Sequence, residues 1–393
     1  MRHWLWIALL ALGCGSREPR SETPAQPLTE ASPAGTWRAS PPEERAASPV
    51  ERTAEVAASV AAPEATASAP APSFLKGQLH VHSAGSYDAR EPPADVLRFY
   101  AEHGYRFVSI TDHNRVTLEP SPSKDLLVFA GAELTQNATV CDPAPAPGFR
   151  CLFHTGAVFL HDVSDGQQLK LPFQQGRFAA YDAQLALAER LGGVGMIMHP
   201  NFHFAVDERL LARLVKRGAK FFEISNAALD SQHPGGHERA ESHAESLWDG
   251  VLSQGLLVYG VATDDAHHFS EAAERRRQMK SAYTGDRGWV QVYAEPNERS
   301  IRAALEAGEF YASSGVELAR LERSREHWRV EIRAEDGEDY ETRFVGRGGR
   351  ALARQRGAIA EYDPRGDEGY VRAVVRDSRG RKAWVQPLQV PAP

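Results

Sequence analysis

The sequence repeatedly places a histidine or an acidic residue where a short apolar run ends. The pattern begins in Gln-Leu-His-Val-His-Ser and recurs in Thr-Asp-His, Gly-Ala-Glu, His-Pro and Asp-Ala-His. The residues at these positions are His80, His82, Asp112, His113, Glu133, His199, Asp265 and His267. Because parallel strands of an α/β fold carry their carboxyl ends to one edge, the pattern favours a fold that gathers these side chains in one place.

Apolar runs alternate with amphipathic segments over residues 75–315, which predicts repeated strand–helix units. Strands are expected at 78–82, 107–111, 126–130, 155–160, 195–198, 220–224 and 256–262. Helices are expected at 93–103, 181–191, 207–216, 238–253 and 298–306, the last with Asn297 as its N-cap. Such alternation indicates parallel βαβ units, and roughly seven strands suggest a closed α/β barrel. His154 does not fit the pattern of polar residues at the carboxyl ends of strands, because its apolar run follows it instead of preceding it.

Beyond about residue 316 the pattern changes to short alternating segments separated by turns rich in Gly and Asp. Trp-Arg-Val-Glu-Ile-Arg and Tyr-Val-Arg-Ala-Val-Val are examples. We therefore expect a small all-β C-terminal domain of two short sheets over residues 316–393. Its sequence carries no metal-ligand or nucleophile pattern, so we expect it to pack on the barrel rather than perform chemistry.

The first 14 residues have the composition of a secretory signal peptide. Arg2 precedes an apolar stretch that is too short to cross a bilayer. The following Ala-Leu-Gly-Cys resembles a bacterial lipoprotein signal, with the order of its first two residues reversed, and predicts lipidation of Cys14. Ordinary signal cleavage nearby is the alternative. Because Gly15 rather than Asp follows, the resemblance implies the outer membrane or periplasm rather than the inner membrane.

Residues 15–74 are rich in Ala, Pro, Ser and Glu and contain few aliphatic residues. Such a segment buries too little apolar surface to offset its ordering entropy, so we expect a disordered linker. The expected protein is therefore an exported lipoprotein of the cell envelope, held at a membrane through its N-terminal lipid alone. Its net charge of −7, without a block of Lys and Arg, gives no indication of nucleic-acid binding.

Two further cysteines, Cys141 and Cys151, flank a loop rich in proline. In an exported protein they are expected to form a disulfide, which would hold this loop close to His154. Two free thiols are the alternative.

Imidazole and carboxylate groups dominate the strand-end positions, and no thiolate joins them. His80 and His82 are two apart in a predicted strand and therefore share a face, where they can bind one ion. This donor set suits Zn, Mn or Fe. Asp265 is preferred over the neighbouring Asp264, because the Asp-x-His spacing places it on the same face as His267.

Polar neighbours of these positions are candidates for orienting the ligands or binding substrate. We assign this role to Asp112, Asn114, Asn201, His203 and Asn226. Asp112 is expected to hydrogen-bond a ligand imidazole. For the asparagines the alternative is a turn after a strand, and His203 either faces the pocket or packs.

From about residue 77 to 318, the ordered series His-x-His, Thr-Asp-His, Gly-x-Glu, His154, His-Pro and Asp-x-His resembles the PHP superfamily of metal-dependent hydrolases. More narrowly, it resembles the secreted CehA/McbA branch. The resemblance implies a (β/α)7 PHP barrel, TIM-like in form, that holds two or three divalent metal ions. It also implies that metal-bound water is the nucleophile, so that no side chain distinct from the ligands is catalytic.

The resemblance further implies how the ligands divide among the ions. The first ion is expected on His80, His82, Glu133 and Asp265, the second on Glu133, His154 and His199, and the third on Asp88, His113 and His267.

The expected function is hydrolysis of phosphoester bonds in a small-molecule substrate. A carboxylic ester or carbamate hydrolase with the same metals is an alternative, since metal-activated water attacks either centre. A non-catalytic, metal-bearing lipoprotein that binds a partner or a glycan is a third interpretation. A histidinol-phosphate-type phosphatase fits the expected fold, but its cytosolic pathway does not suit an exported protein.

Overall fold

The computed structural model describes residues 72–228, 237–278 and 280–390. They belong to one compact unit, Ala65–Pro393. The predicted signal peptide, Cys14 and most of the predicted linker lie outside the described residues, and these three remain predictions. Among the residues that are described, no helix is both long enough and apolar enough to cross a membrane.

The described part of the chain alternates strands and helices first and then consists of strands. The helices are α1 (Pro93–Glu102), α2 (Arg177–Arg190), α3 (Glu208–Arg217), α4 (His237–Ser253), α5 (Ala272–Arg277) and α6 (Glu298–Ala307). The first nine strands are β1 (Ser73–Gln78), β2 (Phe107–Ile110), β3 (Leu127–Ala138), β4 (Cys151–Val158), β5 (Val194–Ile197), β6 (Phe221–Asn226), β7 (Tyr259–Thr263), β8 (Trp289–Ala294) and β9 (Phe310–Ser313). The others are β10 (Leu318–Arg323), β11 (Trp328–Ile332), β12 (Tyr340–Gly346), β13 (Arg350–Arg356), β14 (Ile359–Tyr362), β15 (Gly369–Asp377) and β16 (Lys382–Val390).

Strands β1 to β7 lie in sequence order in one mixed sheet, and β8 and β9 continue that sheet beyond β1. The ladders β1–β2, β2–β3, β5–β6 and β6–β7 are parallel. In contrast, β4 runs antiparallel to both β3 and β5. The expectation of parallel strands throughout is therefore wrong at β4. β4 runs antiparallel because the connection between β3 and β4, residues 139–150, contains no helix. A connection without a crossover helix joins antiparallel neighbours.

The chain beyond β1 and the chain beyond β7 also meet each other. The N–H of Asp265 donates to the carbonyl of His80 at 3.0 Å, and the N–H of His82 donates to the carbonyl of Ala266 at 3.0 Å. Along its own length β1 pairs instead with the antiparallel strand β8, which the sequence analysis did not assign. The sheet is thus mixed, and its closure into a seven-stranded barrel stays a prediction.

One buried apolar cluster takes side chains from every strand between β1 and β9, among them Leu75, Phe107 and Met196. A second cluster, which includes Leu211 and Trp248, lies where helices α2, α3 and α4 cover the sheet. Burial of these side chains fixes the strands relative to one another. The packing of the strands therefore sets the positions of the polar residues at their carboxyl ends.

Most of the strands after α6 extend the same sheet, and the others form one small sheet. β16 pairs with β9, and β15, β12 and β13 follow in that order. A further three strands, β10, β11 and β14, form a separate sheet. The β9–β16 ladder joins strands on the two sides of the predicted boundary at residue 316. A separate C-terminal domain therefore stays a prediction.

Other sequence expectations differ from the structure mainly at element ends. The first strand is Ser73–Gln78, so it precedes the two histidines that were expected inside it and includes the last residues of the predicted linker. Helix α6 begins as predicted, because the side chain of Asn297 accepts a hydrogen bond from the N–H of Ser300 at 2.8 Å.

Candidate metal centre

The antiparallel direction of β4 accounts for the position of His154 at the start of its strand. Thr135 near the end of β3 pairs with His154 near the start of β4. The beginning of β4 therefore lies at the same edge of the sheet as the carboxyl ends of its parallel neighbours. At this edge the structure brings together all nine side chains that were predicted as metal ligands. They are His80, His82, Asp88, His113, Glu133, His154, His199, Asp265 and His267.

A first donor group has four members, His80, His82, Glu133 and Asp265. Nε2 of His80 lies 3.2 Å from Nε2 of His82. The same atom lies 3.4 Å from Oε2 of Glu133 and 3.2 Å from Oδ1 of Asp265. From Nε2 of His82 these two oxygens are 3.2 and 3.3 Å away. All four side chains are buried, so the donors face one small shared space.

Glu133 connects this group to a second one through its other oxygen. Oε1 of Glu133 lies 2.6 Å from Nδ1 of His154 and 3.0 Å from Nε2 of His199. The two oxygens of one carboxylate thus face two different sets of histidines. A carboxylate in this position can bridge two ions.

A third donor group consists of Asp88, His113 and His267, beside His82. Oδ2 of Asp88 lies 3.2 Å from Nε2 of His113 and 3.6 Å from Nε2 of His267. Nδ1 of His113 also lies 3.1 Å from Oε2 of Glu133, which places this group next to the first. Asp88 is the most exposed donor of the three.

Glu223, which the sequence analysis did not identify, holds two of the donor residues in place. Its Oε1 accepts hydrogen bonds from Nδ1 of His80 at 2.7 Å and from Oγ1 of Thr263 at 2.6 Å. Its Oε2 accepts from the N–H of His199 at 2.5 Å and from Nδ2 of Asn226 at 2.9 Å. The signal that was available is a charged residue inside an apolar strand, which requires polar partners when buried.

Other donor imidazoles also have a polar partner at the nitrogen that faces away from the cluster. Nδ1 of His82 lies 2.9 Å from the hydroxyl of Ser86. Nε2 of His154 donates to Oδ1 of Asn137 at 2.7 Å. Such contacts fix the orientation of an imidazole and leave its other nitrogen available to a metal ion.

The structure distinguishes the two neighbouring aspartates at the end of β7. Asp265 faces the donors, and its Oδ2 accepts from Nδ2 of Asn226 at 3.2 Å. Asp264 instead accepts from Nε2 of Gln78 at 2.7 Å and from the hydroxyl of Tyr100 at 2.8 Å, besides three backbone N–H groups. Asn226 therefore orients a donor, whereas Asp264 has a structural role.

Two residues with a predicted role in orienting ligands or binding substrate support the backbone instead. Asp112 accepts hydrogen bonds from the N–H and the hydroxyl of Ser83, at 2.7 and 2.6 Å, and from the hydroxyl of Thr117. The expected contact with an imidazole is therefore wrong, and Asp112 fixes the turn that follows the two histidines. Asn114 exchanges two hydrogen bonds with the backbone of Thr135, which supports the alternative that it is a turn residue.

The other two predicted neighbours lie on the side of His199. Oδ1 of Asn201 lies 2.6 Å from Nδ1 of His243 in helix α4, so this side chain links two elements. His203 lines the cavity above the donors, and its Nδ1 accepts from the backbone N–H of Arg150 at 3.1 Å. Of the two alternatives for His203, the structure supports the one in which it faces the pocket.

The electrostatics of the cluster keep its carboxylates ionised. Burial raises the pKa of Glu133, but His113 and His154 outweigh this effect and hold that pKa well below its ordinary value. Burial lowers the pKa of His154 to about 4, so this imidazole is neutral near pH 7. Burial opposes protonation of His80, His199 and His267, but the neighbouring carboxylates outweigh it and raise the pKa of each imidazole, so a metal ion that binds them has to displace a proton.

Cys141 and Cys151 form the predicted disulfide, with their Cα atoms 6.0 Å apart. Both residues are buried, and they join the end of β3 to the start of β4. The disulfide therefore closes the loop three residues before His154.

A cavity of about 1030 Å³ opens over the donors. His113, Glu133, His154, His199 and Asp265 lie at its base. Its walls include aromatic and cationic side chains, namely Tyr87, Phe173, Phe202, Tyr283, Arg150 and Arg275. The volume suffices for a small organic molecule.

No protein-family model matches this chain, and no curated protein sequence matches it significantly. Among solved structures, the chain is similar to a protein named as a metal-dependent phosphoesterase from Bifidobacterium adolescentis. The identity is 15%, over 60% of this chain and 96% of that one, with a TM-score of 0.36. It is also similar to an amidohydrolase from Chromobacterium violaceum, with 13% identity over 50% of this chain and 88% of the other, and a TM-score of 0.33. At identities and TM-scores this low, neither similarity assigns a function to this chain.

Proposed function

We propose that this protein is a metal-dependent hydrolase of phosphoester bonds, with two or three divalent ions, Zn, Mn or Fe, bound by the nine donor residues. The observation that carries the proposal is the spacing of the first donor group. With metal–ligand bonds of about 2.0–2.1 Å in tetrahedral geometry, neighbouring donor atoms lie roughly 3.3 Å apart. Five of the six separations in this group run from 3.2 to 3.4 Å, as expected for donors around an ion of this size.

The chemistry of the donors agrees with this spacing. Divalent ions bound by imidazole and carboxylate act as Lewis acids and lower the pKa of a coordinated water, which removes the need for a nucleophile from the protein. The chain itself contributes the orientation of the donors. Glu223 holds His80 and His199, and Asn226 holds Asp265.

The charge of the site supports a phosphoester over a neutral carboxylic ester or carbamate. The carboxylates of Asp88, Glu133 and Asp265, with that of Glu223 behind them, balance the charge of two divalent ions and leave a net positive charge with three. Arg150 and Arg275 add further positive charge to the cavity walls. Such a pocket favours an anionic substrate.

The proposal extends to family and location. The ordered motif series supports membership of the PHP superfamily, in its CehA/McbA-like branch with a (β/α)7 barrel. Export and a lipid anchor at Cys14 are proposed from the N-terminal sequence, and the disulfide is typical of an oxidising compartment such as the periplasm. The partners are then a small-molecule phosphoester and, through the anchor alone, a membrane.

The test compares turnover of bis(4-nitrophenyl) phosphate, 4-nitrophenyl phosphate and 4-nitrophenyl acetate by the full chain after loading with Zn, Mn or Fe. Glu133→Gln is the test variant. Glu326→Gln is its control, because Glu326 is exposed and lies outside the cavity lining. We expect release of nitrophenol from a phosphoester, lost in the first variant and kept in the second. Turnover of the acetate alone would support the ester hydrolase, and no turnover would support the non-catalytic lipoprotein.

A further inference from the structure

The hairpin formed by β3 and β4 extends past the donors and forms one wall of the cavity. Glu133 and His154 lie at its base, where Glu133 pairs with Gly156. Farther from the base Asn137 pairs with Leu152, and the disulfide then closes the hairpin. We call residues 133–154 the hairpin wall. A ligand that reaches the donors therefore lies along this wall.

Arg150 continues a line of side chains that starts at His154. Residues two apart in a strand share one face, and Arg150, Leu152 and His154 all line the cavity. With a rise of about 3.3 Å per residue, the Cα atoms of Arg150 and His154 are roughly 13 Å apart. Arg150, which directly precedes β4, thus lies in the outer part of the cavity, farther along the hairpin from the donors than Leu152.

The backbone of Arg150 is fixed, whereas its charge is available to a ligand. Its N–H donates to Nδ1 of His203 at 3.1 Å, and the next residue is a disulfide cysteine. The side chain is exposed and, among the described residues, its guanidinium makes no hydrogen bond or ion pair. In contrast, Nε of Arg275 on the opposite part of the lining donates to the carbonyl of Ser281 at 2.8 Å.

Three large apolar or aromatic side chains of the cavity lining are exposed. Tyr87, Val140 and Phe173 are 74%, 63% and 61% exposed, which is unusual for side chains of this size. All three line the same cavity. Exposed apolar side chains grouped at a cavity mark a surface that contacts a ligand. These side chains offer an apolar contact to a ligand that lies in the cavity.

We infer that Arg150 is a specificity-determining residue, which binds an oxyanion of the substrate remote from the bond that is broken. The substrate class is then a phosphoester whose leaving group has an apolar body, about the size of an aromatic ring, and carries a carboxylate or phosphate at its far end. A guanidinium pairs with either oxyanion through two parallel N–H···O bonds. This inference rests on the proposed function for the identity of the broken bond.

The binding test does not require turnover. Phenylphosphonate and 4-carboxyphenylphosphonate, which are not hydrolysed, are titrated by calorimetry into the full chain purified without chelator. We expect the carboxylated compound to bind roughly tenfold more tightly, as one charge-assisted pair provides. Arg150→Gln should abolish the preference, and Arg150→Lys should restore part of it. Arg325→Gln is the matched control, because Arg325 is exposed outside the cavity lining.

The outcomes separate the inference from the proposed function. Equal affinities in the wild type, a preference that survives in Arg150→Gln, or no binding of either compound at millimolar concentration would overturn the inference. The kinetic counterpart is phosphate release from phenyl phosphate and 4-carboxyphenyl phosphate. A binding preference that depends on Arg150, found without any phosphate release, would support the inference and contradict the proposed hydrolysis of phosphoesters.

Discussion

The carboxylate of Glu223 accepts a hydrogen bond from Nδ1 of His80 at 2.7 Å, which turns Nε2 of that imidazole toward the donor cluster. Both residues are buried, and Glu223 has further donors in Thr263 and in the backbone of His199. One carboxylate therefore fixes the orientation of one donor imidazole and the backbone position of another donor residue. This arrangement predicts that Glu223 matters to metal binding almost as much as the donors do.

Replacing Glu223 tests that prediction. In Glu223→Gln the charge that orients His80 is lost, and we expect metal affinity to fall by about 10- to 100-fold. The measurement is competition with a chromogenic chelator. Glu326→Gln serves as the control on an exposed glutamate. An unchanged affinity in a variant that folds would show that Glu223 only fills space.

The donors that follow a strand could be predicted because the end of an apolar run is a local feature of the sequence. His199 after β5 and Asp265 after β7 are examples. His154 could be placed only through resemblance, because the direction of β4 depends on its pairing with β3 and β5. Glu223 was missed because it lies inside β6 between apolar neighbours, and its partners His80 and Thr263 are distant in the sequence.

The two aspartates after β7 give a second prediction. Asp265→Asn should lower the metal content, because it removes a donor charge from the first group. Asp264→Asn should leave the metal content per folded chain unchanged but reduce the free energy of unfolding by about 2 kcal/mol, because it disturbs several buried hydrogen bonds. Metal analysis and urea unfolding of both variants check this contrast. Loss of metal in the second variant alone would mean that Asp264 is the ligand.

The disulfide gives a third prediction. It closes the hairpin wall beside Arg150, whereas the donors are held by strand pairing and by Glu223. In the double variant Cys141→Ser, Cys151→Ser we expect metal content to stay and the Michaelis constant for an anionic aryl phosphate to rise several-fold. Steady-state kinetics and metal analysis of the same sample check this. A variant that loses its metal would place the disulfide in support of the donors instead.

A buried charge cluster between α4 and the C-terminal strands gives a prediction on stability and pH. Glu245 contacts Lys382 at 3.2 Å and Arg343 at 2.9 Å. Burial raises the pKa of Glu245, but Arg372 and Lys382 outweigh it, so that pKa lies below its usual 4.5. The contribution to stability is therefore fully present above pH 4.5 and is lost as the pH falls through the lower, folded-state value.

Glu245→Gln tests this sign. We expect the variant to lose about 3 kcal/mol in free energy of unfolding at pH 7, because buried cations lose their partner. Urea titrations at several pH values should show the difference from the wild type narrowing below pH 4.5. A difference that grows on acidification would contradict the assignment.

The first strand illustrates why element bounds were harder to predict than the site. Lys76 lies in β1, where its amino group contacts the rings of Tyr105 and Trp289 at 4.3 and 4.1 Å and pairs with Asp286. A lysine that buries its aliphatic stem in this way is still a charged residue in the sequence. The apolar pattern of the strand is therefore harder to recognise. The partner strand β8 was missed as well, and without it the segment before Gln78 resembles the end of a linker.

The central claim is that the nine donors bind divalent ions, and metal content measures it most directly. The full chain is purified without chelator, exchanged into metal-free buffer and analysed by mass spectrometry beside Glu133→Ala. Because each oxygen of Glu133 faces a different donor group, one substitution should disturb both. We predict two or three ions per wild-type chain and loss of most of them in the variant. A wild type that stays empty after incubation with Zn, Mn and Fe would contradict the account.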